Sequence, residues 1–226
     1  MCGRYGFSIK DAREVIERFE LINTLDEVEK LKSRYNIAPG QLNPVIVNTS
    51  EGYKMGRFMW GLIPFWSKDD SFKFKTINAR VEGIEDKPVF RKAFKSQHCL
   101  IPASFFYEWD KSVKPSNPYL FKMKDDSIFS FAGLFDKWHD KNTGKDIYSY
   151  TILTCPPNKI LSKIHNRMPV ILKREDEKEW LNPNITENEQ MFDMLYPYDD
   201  KNMTSFVVSR NINSPLNDSE ELIKKN

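Results

Sequence analysis

A chain of 226 residues is long enough to bury a sizeable core in one large domain, and its 34 Lys and Arg against 32 Asp and Glu leave a net charge of +2. That balance excludes a partner chosen by the field of the whole molecule, so any nucleic-acid site has to be a local basic patch. Three cysteines, Cys2, Cys99 and Cys155, with no C-x-x-C, no paired His, no signal peptide and no long apolar run, exclude a disulfide framework, a zinc site and a membrane segment, and read as reduced thiols of a cytoplasmic protein.

The chain opens Met1-Cys2-Gly3-Arg4. Removal of Met1 would leave Cys2 with two nucleophiles on adjacent atoms, an α-amine titrating near about 7.7 to 8.0 and a thiol near about 8.5, so a useful fraction of each is reactive at neutral pH. An amine meeting an aldehyde gives a Schiff base, and the neighbouring sulfur then closes a five-membered thiazolidine on the imine carbon. The same residues are equally read as a small side chain behind a retained Met1.

Ser8, with Asp11 three residues on, suggests a helix opening, followed by Ala12, Val15, Ile16 and Phe19 at helical spacing. Residues 24 to 33 are charged and polar, a short helix or a solvated loop. Arg34-Tyr35-Asn36-Ile37-Ala38-Pro39-Gly40 ends in a turn before the strand Val45-Ile46-Val47. A strand from Tyr53 to Trp60 runs into Gly61-Leu62-Ile63-Pro64, leaving Phe65 and Trp66 at a turn, where exposed rings call for something to cover. Thr76-Ile77-Asn78-Ala79-Arg80 follows an aromatic, lysine-rich stretch, and 88 to 95 reads as a short helix. Leu100 to Trp109 is apolar apart from Glu108, held between Tyr107 and Trp109, a setting that raises a carboxyl toward the general-acid range. A salt-bridged strand Glu is the alternative there. Strands at Tyr119 to Met123, Ile128 to Phe135 and Ile147 to Leu153 follow, with turns at Asp125-Asp126 and Thr143-Gly144. Asn158 caps a short helix that ends at His165-Asn166-Arg167-Met168-Pro169 before a strand Val170 to Leu172. Two acidic helices occupy 175 to 197, and a strand Ser205 to Ser209 leads to Arg210. Many short strands with few helices imply an α+β fold, a single domain over 1–216 with a curved, barrel-like, mainly antiparallel sheet and peripheral helices, and a charged, frayed tail at 217–226.

In this order, Met1-Cys2-Gly3-Arg4, Arg34 to Gly40, Trp60-Gly61-Leu62-Ile63-Pro64, Asn78-Ala79-Arg80, Phe106-Tyr107-Glu108-Trp109, Ile164 to Pro169 and Val208-Ser209-Arg210 resemble the SOS response-associated peptidase family, the abasic-site processing proteins. The resemblance implies a monomeric DNA-damage response protein, cytoplasmic and nucleoid-associated when on DNA, that binds single-stranded DNA and traps abasic sites through a thiazolidine at Cys2 after removing its own Met1. Carried over by position, Cys2 forms the crosslink, Asn78 orients the amine or sugar, Glu108 donates and accepts protons, and His165 handles sugar ring opening. Arg4, Arg80 and Arg167 would contact phosphates, and Pro39 and Trp66 would stack on or wedge the flanking bases. No cofactor or metal is implied. The chain departs from the family pattern at Asn166 and Met168, where an acid and a second Arg are usual, and in Ala103-Ser104-Phe105. A competing reading is an N-terminal-nucleophile cysteine amidohydrolase of glutamine amidotransferase type, whose domains also begin Met-Cys-Gly.

Overall fold

The structure is a computed structural model that describes residues 2–185 and 188–226; the expected removal of Met1 therefore lies outside the described residues. Twelve strands are described: β1 (Arg4–Phe7), β2 (Arg34–Ile37), β3 (Leu42–Thr49), β4 (Gly52–Trp60), β5 (Asn78–Arg80), β6 (His98–Ala103), β7 (Phe105–Asp110), β8 (Asn117–Met123), β9 (Phe129–Asp140), β10 (Lys145–Cys155), β11 (Met168–Pro169) and β12 (Met203–Val207). Five short helices accompany them, α1 (Ala12–Phe19), α2 (Leu25–Glu29), α3 (Arg91–Ser96), α4 (Glu177–Trp180) and α5 (Asn188–Phe192).

β10, β4, β3, β6 and β9 pair in that order, and β9 pairs back with β10, closing a five-stranded barrel. Closure removes the edges that an open sheet would expose. The pairing is antiparallel except where β10 meets β4 and β5. A second sheet runs β12-β8-β7-β1-β2. One large core, including Trp60, Phe106, Phe131 and Trp180, joins the barrel to this sheet. A smaller cluster of Phe105, Tyr107, Leu120, Val208, Ile212 and Leu222 lies on a separate apolar surface.

The apolar run from Leu100 to Trp109 divides at Ser104 between the two sheets, β6 in the barrel and β7 beside β1. The Ser104 amide donates to the Gly6 carbonyl at 2.8 Å, which turns the chain out of the barrel. Helix α1 starts later than the Ser8 signal suggests. The Ser8 and Ile9 amides are taken by the Ser104 and Ser33 hydroxyls, so Asp11 becomes the cap and accepts from the Arg13 amide. Thr24 and Glu27 form a reciprocal capping box that starts helix α2, so that of 24–33 only Leu25–Glu29 is helical. Asn158 caps by accepting from the Leu161 amide, but the helix is a single 3₁₀ turn, Leu161–Lys163. The tail expected to fray is docked: Asp218 accepts from the amides of Tyr35 and Asn36, and Leu222 is buried. Backbone amides of the outer strand β2 thereby find a carboxylate partner, which explains why charge alone misreads this segment.

Candidate functional site

β1 lies beside β7 with Arg4 opposite Tyr107, so the residues just before β1 reach the level of Glu108. β5 runs parallel to β10 with Asn78 opposite Ile152, and β11 adds to the same end of β10 with Met168 opposite Cys155. Pairing with β10 thus brings two of these segments to one end of the barrel, and a hydrogen bond between Asn78 and Cys2 joins the start of the chain to them. Together the three carry Cys2, Asn78 and His165.

Cys2 is fully buried, and its carbonyl accepts from Asn78 Nδ2 at 2.8 Å. This bond fixes the amide orientation, since the reverse would set two oxygens against each other. Asn78 Oδ1 is then left as a buried acceptor with no hydrogen-bond partner among the described residues. The thiol lies 3.6 Å from the Arg4 carbonyl, to which it donates. Burial drives the Cys2 thiol far above its ordinary range, and the Glu108 carboxylate pushes in the same direction. This corrects the expectation of a thiolate fraction at neutral pH, because desolvation keeps the sulfur protonated until a base removes its proton.

Glu108 is 4% exposed on β7, opposite Tyr119 of β8. Burial raises its carboxyl above the usual carboxylate range, and interactions with His165 and Lys111 offset part of that rise. Glu108 is a desolvated acid that interacts electrostatically with both the Cys2 thiol and the His165 imidazole. The Nδ1 of His165 accepts the Arg167 amide at 3.0 Å and lies 3.1 Å from the Arg167 carbonyl. The amide suits the neutral ring, the carbonyl suits a protonated Nδ1, and both leave Nε2 outside the local turn.

The expected phosphate ligands differ among themselves. Arg80 is exposed. Arg4 is half-buried, with Nη1 on the Gly3 carbonyl at 3.1 Å. Arg167 is buried, with Nη1 and Nη2 on the two oxygens of Glu82 at 2.6 and 2.9 Å and Nη2 also on the Thr154 carbonyl. Trp66 is 47% exposed and meets Phe72 edge-on at 5.4 Å; Phe65 is similarly exposed beneath the Lys92 ammonium, 3.8 Å from its ring centre. The loop carrying them is pinned by Thr76, whose single hydroxyl donor lies between the Leu62 and Phe72 carbonyls, 2.6 and 2.8 Å away. It needs Gly61, at φ +124°, where a Cβ would sit 1.8 Å from the Lys73 carbonyl oxygen. Pro39 is half-buried, and the adjacent Gly40 has the exposed Phe74 ring against it.

Sequence reasoning missed Phe74 and Glu82. Phe74 lies in the aromatic, lysine-rich stretch, where its 64% exposure was the missing signal. Glu82 is separated from Arg167 by 85 positions and nothing local marks the pair. A cleft of about 630 Å³ is bordered by Asp110, Tyr119, Lys163 and Ile164, and neither Glu108 nor His165 lines it. A groove of about 440 Å³ floored by Phe105, Leu120 and Ile128 contains none of the expected residues. Among the described residues no group of three His, Cys, Asp or Glu could hold a metal ion, and no helix is long and apolar enough to cross a membrane.

The chain is 43% identical over 225 residues to abasic site processing protein YoqW of Bacillus subtilis (strain 168), with 99% of each chain covered. Abasic site processing protein HMCES of Xenopus tropicalis is 26% identical, over 85% of this chain and 66% of its own length. Among solved structures, a Bacteroides thetaiotaomicron protein superposes with a TM-score of 0.88 at 28% identity, covering 98% of this chain and 99% of that one. A Bordetella bronchiseptica protein gives 0.79 at 25% identity over 92% of this chain and all of its own. With residues 1–215 also matching the model of the SOS response associated peptidase (SRAP) family, the chain belongs to that family.

Proposed function

We propose that this protein binds single-stranded DNA and captures abasic sites covalently through Cys2, once removal of Met1 has freed its α-amine. The observation that carries the reading is the buried Cys2, held through its carbonyl by Asn78 beside a desolvated acid that interacts with His165. The names of the relatives point to the same lesion.

The chemistry follows from the groups present. In its closed form the abasic sugar is a hemiacetal; His165 exchanges protons with the sugar oxygens so that the ring opens and C1′ becomes an aldehyde. The Cys2 amine, oriented by Asn78 Oδ1, attacks C1′ to give a carbinolamine. Protonated Glu108 delivers its proton to the departing hydroxyl, water leaves, and an iminium forms. The Glu108 carboxylate then takes the thiol proton as Sγ bonds to C1′, and the thiazolidine closes with nitrogen neutral. One water is released and Glu108 ends protonated as it began. A thiol that stays protonated until this step is an advantage here, because amine attack precedes sulfur attack. Arg4 and Arg80 contact phosphates on either side of the lesion, while Pro39, Trp66 and Phe74 offer surfaces for the flanking bases. The protein acts as a monomer on the DNA.

Intact-mass measurement establishes whether purified protein begins at Cys2, and denaturing electrophoresis after incubation with an abasic single-stranded oligonucleotide reads the crosslink. The mature protein is expected to give a band that survives heat and detergent. Cys2→Ser should lose it while retaining noncovalent binding within about twofold, and Cys2→Ala should leave imine formation and strand cleavage. A heat-stable adduct from Cys2→Ser, or ammonia released from glutamine without DNA, would overturn the reading.

A further inference from the structure

The candidate chemistry uses Asn78 and His165, which come from opposite sides of one carbonyl. Thr154, near the end of β10, accepts through its carbonyl from the Val81 amide at 3.0 Å and from Arg167 Nη2. Val81 directly follows the strand that carries Asn78, and Arg167 is two residues beyond His165. Across this junction Glu82 closes a two-pronged ion pair on Arg167. The Glu82 side chain is half-exposed, whereas that of Arg167 is 10% exposed. A guanidinium removed from water needs such a partner, and the parallel fork fixes its plane as well as its place.

Both Arg167 contacts to the imidazole come from its backbone, not its side chain. Its amide faces Nδ1 when that nitrogen carries a lone pair, and its carbonyl is within reach when Nδ1 is protonated. The Arg167 backbone can therefore follow the ring through both protonation states, provided the residue itself does not move. With two guanidinium nitrogens committed to Glu82 and Thr154, the side chain is an anchor for that backbone.

We propose that Glu82 is a positioning residue for His165: by locking the Arg167 guanidinium it holds the Arg167 peptide groups against the imidazole and ties the His165 turn to the Asn78 strand. The inference deepens the abasic-site reading and rests on it for the reaction concerned. Glu82 touches neither sugar nor nucleophile in this role. It acts through Arg167, and its contribution belongs to the step that needs His165 to exchange protons in a fixed direction.

The test is Glu82→Gln, with Glu82→Asp as the conservative partner, each compared with wild type for adduct formation against pH, noncovalent single-stranded DNA binding, and the ring-nitrogen NMR shifts of His165 without DNA. Glu82→Gln is expected to slow adduct formation about tenfold at unchanged noncovalent affinity, to alter the pH–rate profile, and to change the His165 tautomer signals; Glu82→Asp should recover part of each. Unchanged ring-nitrogen shifts and titration in Glu82→Gln overturn the inference, and this readout decides it even if wild type forms no adduct and the abasic-site reading falls. Tighter DNA binding with a steeper salt dependence in Glu82→Gln also overturns it, since Glu82 would then be masking a phosphate ligand rather than steadying an imidazole.

Discussion

Glu108 is the residue at which composition, burial and chemistry bear on one another most directly. A lone acid between Tyr107 and Trp109 is conspicuous in the sequence, and β7 does bury it. Its raised pKa has a thermodynamic sign. Folding favours the protonated carboxyl, so the stability it contributes is complete below the unfolded value of about 4.3 and is lost as pH rises through the higher folded value. Glu108→Gln removes that loss. Thermal melts from pH 4 to pH 8 should therefore show the variant gaining on wild type as pH rises, while its adduct formation falls; a constant offset in Tm would contradict the desolvated acid. Cys2 was legible for the opposite reason, its place at the chain start, which needs no tertiary knowledge. Its ionisation was not legible, because a thiol pKa depends on what covers it, and the covering comes from segments more than 70 positions away.

At the scale of elements, periodicity found most of the strands and carried no information about their partners. The run from Leu100 to Trp109 shows no alternation because every side chain in β6 and the first four in β7 are buried, and alternation is lost when both faces are covered. The change of sheet shows in the tertiary pairing, β6 with β9 and β7 with β1 and β8, and in the hydrogen bond from Ser104 to Gly6. The C-terminal tail was misread for a related reason: Asp218 looks like solvated charge, yet it satisfies two amides of β2 and pairs with Arg34. Asn36, in the same strand, has Nδ2 within hydrogen-bond distance of the carbonyls of Ile212, Ser214 and Asn217, which share its two N–H donors. The motif Arg34-Tyr35-Asn36 thus acts as a clasp for the chain end rather than as part of the chemistry. Asp218→Ala should leave those amides without their acceptor, at a cost of about 2 kcal/mol. For a chain of this size that corresponds to a fall in Tm of roughly 4 to 8 °C. A variant that melts with wild type would mean the clasp contributes nothing.

Over the whole molecule, the closed barrel supplies rigidity and the near-zero net charge supplies no long-range pull. A protein with +2 on 226 residues has little general attraction for a polyanion, so the proposed DNA binding must come from a few placed cations and from rings. The structure narrows the cations further. Arg167 is occupied by Glu82, leaving Arg4 and Arg80 as the principal arginines for phosphates among those the sequence suggested. Counterion release then sets a number. For single strands the slope of log K against log salt is about −0.7 per phosphate contact, so two contacts give about −1.4, shallow for a DNA-binding protein. Arg80→Ala should reduce the slope by about 0.7 and weaken binding to every sequence alike, whereas Trp66→Ala should weaken binding with the slope unchanged, because stacking releases no counterions. Fluorescence anisotropy with an unmodified single-stranded oligonucleotide from 50 to 300 mM salt separates the two. A wild-type slope of about −4 or steeper would require about six phosphate contacts, and in that case Lys73, Lys75 and further lysines outside the motifs would have to join the arginines.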